Sequence, residues 1–317
     1  MMLENQNIRL LVLLVVLCAS VTAAIFFQQD ENRVIVDPSI FRVNDLTKID
    51  GVVLESPTGK VKLHYESSGW KVNNRFYADR QLITVLFATL EQTIPKQPVA
   101  SSQRDSVNAR LDASGVSVSM YEGSVLRKQF QAGGGDKNTE SWFRLNKNSE
   151  AYLMTIPGYR VNVAQIFELD ENGWRDKRIF DFSWRNFKSL SATFYSDRNA
   201  DFGIARKDAF YTIVGMENAD TAKVNTYLDD LSILRADQIL SPGFSKRYDS
   251  LSKTIPVSSF EITDIANRTY RLSLFQLIKG ESLILGRAHE NDLVLFNREK
   301  FFRAFRKRAY FKQRQPN

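Results

Sequence analysis

Residues 70–92 read WKVNNRFYADRQLITVLFATLEQ, and residues 211–233 read YTIVGMENADTAKVNTYLDDLSI. At one constant offset Trp70 falls on Tyr211, Val72 on Ile213, Ala78-Asp79 on Ala219-Asp220, and Leu90 on Leu231. Self-similarity at a fixed offset is the signature of repeated architecture. In each copy a short strand pattern gives way to helical spacing: Leu82, Val85, Leu86, Thr89 and Leu90 in the first, Val224, Tyr227, Leu228 and Leu231 in the second. Asp79 and Asp220 stand just before that spacing. A carboxylate there accepts hydrogen bonds from unpaired amides and complements the helix dipole, so both are expected as helix caps rather than as a catalytic pair.

Working outward, Ile49–Glu55 and Val61–Glu66 alternate around the breaker Ser56-Pro57-Thr58-Gly59, and Trp70-Lys71-Val72 makes a third strand. Pro95 and Pro98 are read as ending the helix. Leu190–Tyr195, Asp201–Ala205 and Phe210–Val214 repeat the strand triplet. After each helix comes a four-strand series: Gly115–Tyr121, Val125–Gln131, Trp142–Asn146 and Ala151–Met154, then Phe260–Asp264, Thr269–Phe275, Glu281–Gly286 and Asp292–Phe296. Each copy therefore reads β-β-β-α-β-β-β-β. The expected class is α+β: two tandem related units of antiparallel sheet plus helix, at 44–182 and 183–297, after a linker at 28–43. The first unit closes with a joint, in which Val161–Leu169 reads as a short helix and Trp174, Arg175 and Asp176 lead the run to Phe182.

Leu10–Phe27 is an uncharged apolar run of 18 residues, the lower limit for a spanning helix. Two readings are open: a retained anchor, or a cleaved signal peptide ending at Val21-Thr22-Ala23. The run is longer than a usual signal core, which favours the anchor; a lipid on Cys18 is disfavoured by Leu17 before it. Arg9 points to residues 1–9 in the cytoplasm and the body outside it.

The chain has 43 Lys and Arg against 36 Asp and Glu, a formal charge of +7. From Arg298 onward eight cations face one acid, Glu299, which leaves 35 of each sign in residues 1–297. The body is neutral, which argues against a nucleic-acid partner gripped by its main surface. One cysteine excludes an internal disulfide, and two histidines argue against a zinc site. No cofactor and no metal are expected. The segment 298–317 interleaves cations with aromatics. On a helix, 298, 302, 305 and 309 share a face, the pattern of a basic amphipathic helix. It is expected to dock on the second unit, or to touch anionic lipid or a partner through Arg303, Arg306, Lys307, Arg308, Phe302 and Phe305.

Other features carry little chemistry. Gly133-Gly134-Gly135-Asp136-Lys137-Asn138 could expose amides to phosphate, but it lacks G-K-[ST] and precedes a strand, so a hairpin loop is expected. Trp174 and Trp184 beside Arg175 and Arg178 could form a cation–π slot, although packing of a joint is the plainer expectation. Asp176 is expected to form a salt bridge within that joint. His64 and His289 read as surface residues. No catalytic residue is singled out.

The order of anchor, strand pair, Trp70-Lys71-Val72-Asn73, Ala78-Asp79 helix and Trp174-Arg175-Asp176-Lys177 joint resembles the DUF4340 family, from about Asn44 to the end. The resemblance implies a single-pass protein of the bacterial inner membrane whose body faces the periplasm. It further implies a non-enzymatic accessory or scaffold role beside envelope components of ABC-type transport linked to gliding motility. The alternative from another class is an extracytoplasmic hydrolase, or a glycan- or small-molecule-binding protein, using the groove between the units; a hydrolase would need two converging carboxylates.

Overall fold

The computed structural model describes residues 36–313 except 136–138, 208–209 and 289–290, together with Leu17 and Ser20. The expected span Leu10–Phe27 (Leu17 and Ser20 apart), Cys18, the loop residues Asp136, Lys137 and Asn138, and His289 lie outside the described residues. Among the described residues no helix is long and apolar enough to cross a membrane.

The fold is mixed α+β, with two antiparallel sheets in tandem. The first is built from β1 (Gly51–Ser56), β2 (Gly59–Glu66), β3 (Gly69–Val72), β4 (Phe76–Tyr77), helix α1 (Arg80–Gln92), β5 (Ile94–Pro98), α2 (Ser101–Ser114), β6 (Val116–Glu122), β7 (Val125–Gly134), β8 (Ser141–Arg144) and β9 (Tyr152–Thr155). A single helical turn, α3 (Glu171–Trp174), follows. The second comprises β10 (Phe187–Phe194), β11 (Phe202–Lys207), β12 (Phe210–Ile213), α4 (Thr221–Ser232), β13 (Gln238–Ile239), α5 (Lys246–Leu251), β14 (Ser258–Asp264), β15 (Thr269–Leu274), β16 (Leu283–Ala288) and β17 (Asp292–Asn297), then α6 (Arg298–Ala304). The strand orders are β4-β3-β2-β1-β6-β7-β8-β9-β5 and β12-β11-β10-β14-β15-β16-β17-β13. Apart from β4, the two orders are the same strand for strand.

Two elements per copy go beyond the sequence pattern. β5 and β13 form the far edges of their sheets, and α2 and α5 follow them. Pro95 and Pro98 do not simply end α1; they sit in β5, an edge strand, where the missing amide donor is tolerated. Helix α2 buries only Val107 and Leu111, so it has almost no apolar stripe to read. The Val161–Leu169 helix is reduced to a 3₁₀ turn, Gln165–Glu168.

The second copy shows why these residues form these layers. Strand β14 alternates, with Phe260 and Ile262 turned to the stripe Val224, Tyr227, Leu228 and Leu231 of α4. Strands β16 and β17 are apolar on both faces. Ile284, Val294 and Phe296 join that core, whereas Leu285 and Leu295 pack with Leu240, Phe275 and Tyr248 of α5 on the other side. In the first copy α2 plays the part of α5, packing Val107 and Leu111 with Val99, Ala151 and Trp142.

By internal packing the described chain divides into two compact units. One holds the residues up to Ile49 with Leu54–Pro57 and Phe87–Phe167; the other holds Asp50–Val53, Thr58–Leu86 and Glu168 onward. In the first, Phe41, which falls in the stretch read as linker, is buried edge-on to Phe130 and Phe143. Of the site residues discussed next, Arg144 with its partners and the glycine run belong to the first, and the rest belong to the second.

Candidate functional site

Asp79 enters α1 as a cap. Its Oδ1 accepts the amides of Gln81 at 2.9 Å and Leu82 at 3.4 Å, and its Oδ2 pairs with the guanidinium of Arg235. Asp220 enters α4 the same way: Oδ1 accepts the Lys223 amide at 3.1 Å, and Lys223 Nζ lies 3.5 Å from Oδ2. The likeness extends to the backbone. The Asp79 amide donates to the carbonyl of Trp174 and the Asp220 amide to that of Phe311, each at 2.8 Å. Ala78 forms an antiparallel bridge with Arg175, and Ala219 with Lys312. Trp174 and Phe311 are both wholly buried. Each main helix is thus closed by a later segment that lays a strap across its entrance and drives one aromatic ring inward. The sequence repeat hides this correspondence, because Trp174 and Phe311 do not share the offset of the helices.

The joint holds the densest cluster of charge. The buried guanidinium of Arg175 pairs with Asp292, donates to Asn172 Oδ1 at 3.1 Å and lies 3.5 Å above the centre of the Phe76 ring. Asp176 accepts from the amide and Nε of Arg178, at 3.1 and 2.7 Å, and stands 3.5 Å from Arg235. Asp176 therefore bridges as expected, but to Arg178 and Arg235 rather than its chain neighbours. Trp174 packs the joint, turned into the core with its Nε1 unbonded, and the cation–π contact of Arg175 is made with Phe76 instead. Trp184 stays half-exposed, tilted on Tyr211, with Nε1 donating to Asp229 at 2.7 Å. Asp79 and Asp176 do converge on one cation, Arg235. All four of their oxygens already have donors, and the pair ties α1 to the joint.

Sequence reasoning missed Arg235, Asp292 and Phe76, and also Arg144 in the other unit. Arg144 is fully buried on β8. It donates from Nε and Nη2 to Gln131 Oε1, at 2.9 and 2.7 Å, and pairs with Asp112 of α2. A buried cation requires such partners, but partners on two other elements, β7 and α2, leave no motif in the sequence. Near β14, burial alone would raise the carboxyl of Asp264; hydrogen bonds from the amide and guanidinium of Arg268, with its charge, hold it below its ordinary value. Among the described residues no three His, Cys, Asp or Glu gather to hold a metal.

The glycine run is a tightly packed hairpin. Gly133 and Gly134 pair in β7 with Trp142 and Ser141, and a Cβ on Gly133 would come within 2.8 Å of Leu111 Cδ2. The absence of side chains admits neighbours, and these glycines make no cradle for phosphate.

The basic segment docks on the second sheet. Asn297 caps α6 by accepting the Lys300 amide, and the helix stops at Ala304. Its buried face is Phe301 and Ala304, not the 298, 302, 305 and 309 stripe of a continuous helix. Past Ala304 the chain turns extended and returns as a 3₁₀ turn, Arg308–Phe311, so the long helical face never forms. Phe302 is left half-exposed, while Phe305 stacks on Phe301 and meets Phe194 edge-on. Three cations contact the body, Lys300 to Asp237 at 2.6 Å, Lys307 to Asp197 at 3.1 Å and Arg308 to the Gly215 carbonyl at 2.7 Å, while Arg303 pairs with Glu299 and Arg306 lies over Tyr310 within the segment. Tyr227 donates its hydroxyl to the Ala304 carbonyl at 2.9 Å, and burial pushes that phenol up.

No curated protein and no solved structure matches the chain. The family described as Domain of unknown function (DUF4340) matches residues 70–252, from Trp70 in β3 of the first copy, through the joint, to the end of α5. That match covers more than half of the sequence, and the chain belongs to the DUF4340 family.

Proposed function

We propose that this chain is a non-enzymatic accessory or scaffold protein of a cell-envelope complex, of the ABC-type transport or gliding-motility-associated class. In this reading Leu10–Phe27 anchors it once in the bacterial inner membrane and the body faces the periplasm. The observation that carries the reading is the repeated strand order, in which the most buried charges are spent on holding elements together. Two copies of one sheet, related by duplication, make a platform for binding. The uncharged run after Arg9 supports the anchor.

Affinity purification from membranes with the N-terminal segment intact tests the proposal. Recovery of a transporter or envelope component in fixed proportion is the expected result. Recovery of none above background would sink it.

A further inference from the structure

The chain's surplus of positive charge is delivered to one end of the second sheet. Strand β17 runs to that end and passes through Asn297 straight into α6. The basic segment then crosses the end from strand to strand. Phe305 meets Phe194 at the close of β10, Lys307 reaches Asp197 just past it, and Arg308 donates to the Gly215 carbonyl just past β12. Two other connections come to the same end. The stretch before β14 does so because the Tyr195 amide donates to the Val257 carbonyl and the Val257 amide to that of Leu274. The link from β15 to β16 leaves at that same Leu274 and enters at Leu283, opposite Asn297. Ten cations and six acids fall in the connections at this end, residues 195–201, 214–220, 252–257, 275–282 and 298–313. The rest of the chain balances far more closely, so this end carries a concentrated positive field.

Three of these connections show the same pair of features. Ile255 is 78% exposed and follows the exposed Lys253 by two residues. Leu277 is 38% exposed and precedes the exposed Lys279 by two. Phe302 is 48% exposed and follows the exposed Arg298 by four. Lys300 and Lys307 are matched to Asp237 and Asp197, but Lys253, Lys279 and Arg298 have no acid partner among the described residues. A single exposed apolar side chain is ordinary. Three on separate connections at one end, each beside an unmatched cation, have the composition of a surface that meets lipid: apolar side chains reach the acyl boundary while cations face phosphate.

We infer that this end of the second sheet rests against an anionic lipid bilayer, with Ile255, Leu277 and Phe302 entering the headgroup layer and Lys253, Lys279 and Arg298 facing lipid phosphates. The inference rests on the membrane reading proposed above and names the face that meets the bilayer. It also replaces the expected stripe of one long helix by three side chains that the fold gathers from separate connections.

The test places the full chain in nanodiscs of phosphatidylcholine alone, or of phosphatidylcholine and phosphatidylglycerol in equal parts, and follows amide exchange residue by residue. The Ile255 and Leu277 amides donate to no group among the described residues, so lipid contact is readable there. Slowing by about fivefold or more at both amides in the anionic discs is expected, with none at Trp184 and Ile265 on the opposite end of the sheet. Raising the salt to about 0.5 M should remove it. So should the combined substitutions Lys253→Glu, Lys279→Glu and Arg298→Glu, which alter only exposed, unmatched side chains and should leave urea unfolding unchanged. No slowing in anionic discs, equal slowing in phosphatidylcholine alone, or equal slowing at both ends of the sheet overturns the inference. Slowing that needs no lipid and rises with protein concentration, with a dimer in sedimentation, gives the surface to a second copy and also overturns it. None of these failures touches the scaffold reading, which stands or falls on recovery of an envelope component.

Discussion

Replacing Phe311 by alanine tests how much of the basic segment serves the fold. The ring is fully buried, with its centre 4.9 Å from Phe202 and 5.3 Å from Tyr227. Removing a buried Phe side chain from an apolar site forfeits about 2–3 kcal/mol of transfer energy. The site is framed by β11 and α4, which cannot collapse onto the void, so the cavity left behind raises the cost to about 3–5 kcal/mol. Phe302, half-exposed on the same segment, should cost about 0.5 kcal/mol or less when truncated. Equilibrium urea unfolding of the two variants, followed by far-ultraviolet circular dichroism, separates them. A Phe311→Ala protein within about 1 kcal/mol of the parent, or equal losses in both variants, would refute the docking argument.

Three further outcomes follow from the geometry. Asp79→Ala should cost about 2 kcal/mol and Asp220→Ala about 1 kcal/mol, because both lose a cap but only Asp79 also loses Arg235; in the Arg235→Ala background the two costs should converge in urea unfolding. Asp264 is held below its ordinary carboxyl value, so its stabilisation is full above about pH 4 and is lost as pH falls through the lowered value. The gap in melting temperature between parent and Asp264→Asn should therefore narrow on acidification, and a constant gap from pH 6 to about pH 2 would contradict it. Gly286→Ala should cost about 1–3 kcal/mol in the same urea assay, since the new methyl would lie 2.7 Å from Phe296 Cε2 in a filled core.

Much of the fold was legible because two different periods recur in one order. Alternation marked β14 and β15, and helical spacing marked the stripe of α4, which packs on a sheet face; on α1 it marked the buried Leu86, Thr89 and Leu90, whereas Val85 is exposed and Ile83, outside that stripe, is buried. Helix α2 was illegible for the same physical reason: with two buried residues it has no stripe, and it is fastened instead by Arg144, Asp112 and Gln131. The caps could be read because capping is local, three residues at most from cap to donor. The ion pairs Arg235–Asp79 and Arg175–Asp292 could not, since each joins residues more than a hundred positions apart and leaves no spacing to find. The basic segment was read as one continuous helix, whereas Phe311, its most deeply buried ring, lies beyond the helix end.

The two straps also bear on how the chain acquires its structure. Helices α1 and α4 have local contacts enough to form early, but the carbonyls that complete their entrances come from Trp174 and Phe311, each about ninety residues further along. Closing a loop of that length carries an entropic cost that must be met before the contact returns anything. Each copy is therefore expected to pass through a stage in which helix and hairpins are present while the aromatic plug is still out and the apolar socket is wet. Refolding should show helical signal ahead of plug burial, and conditions that slow that last step should promote self-association through the open sockets.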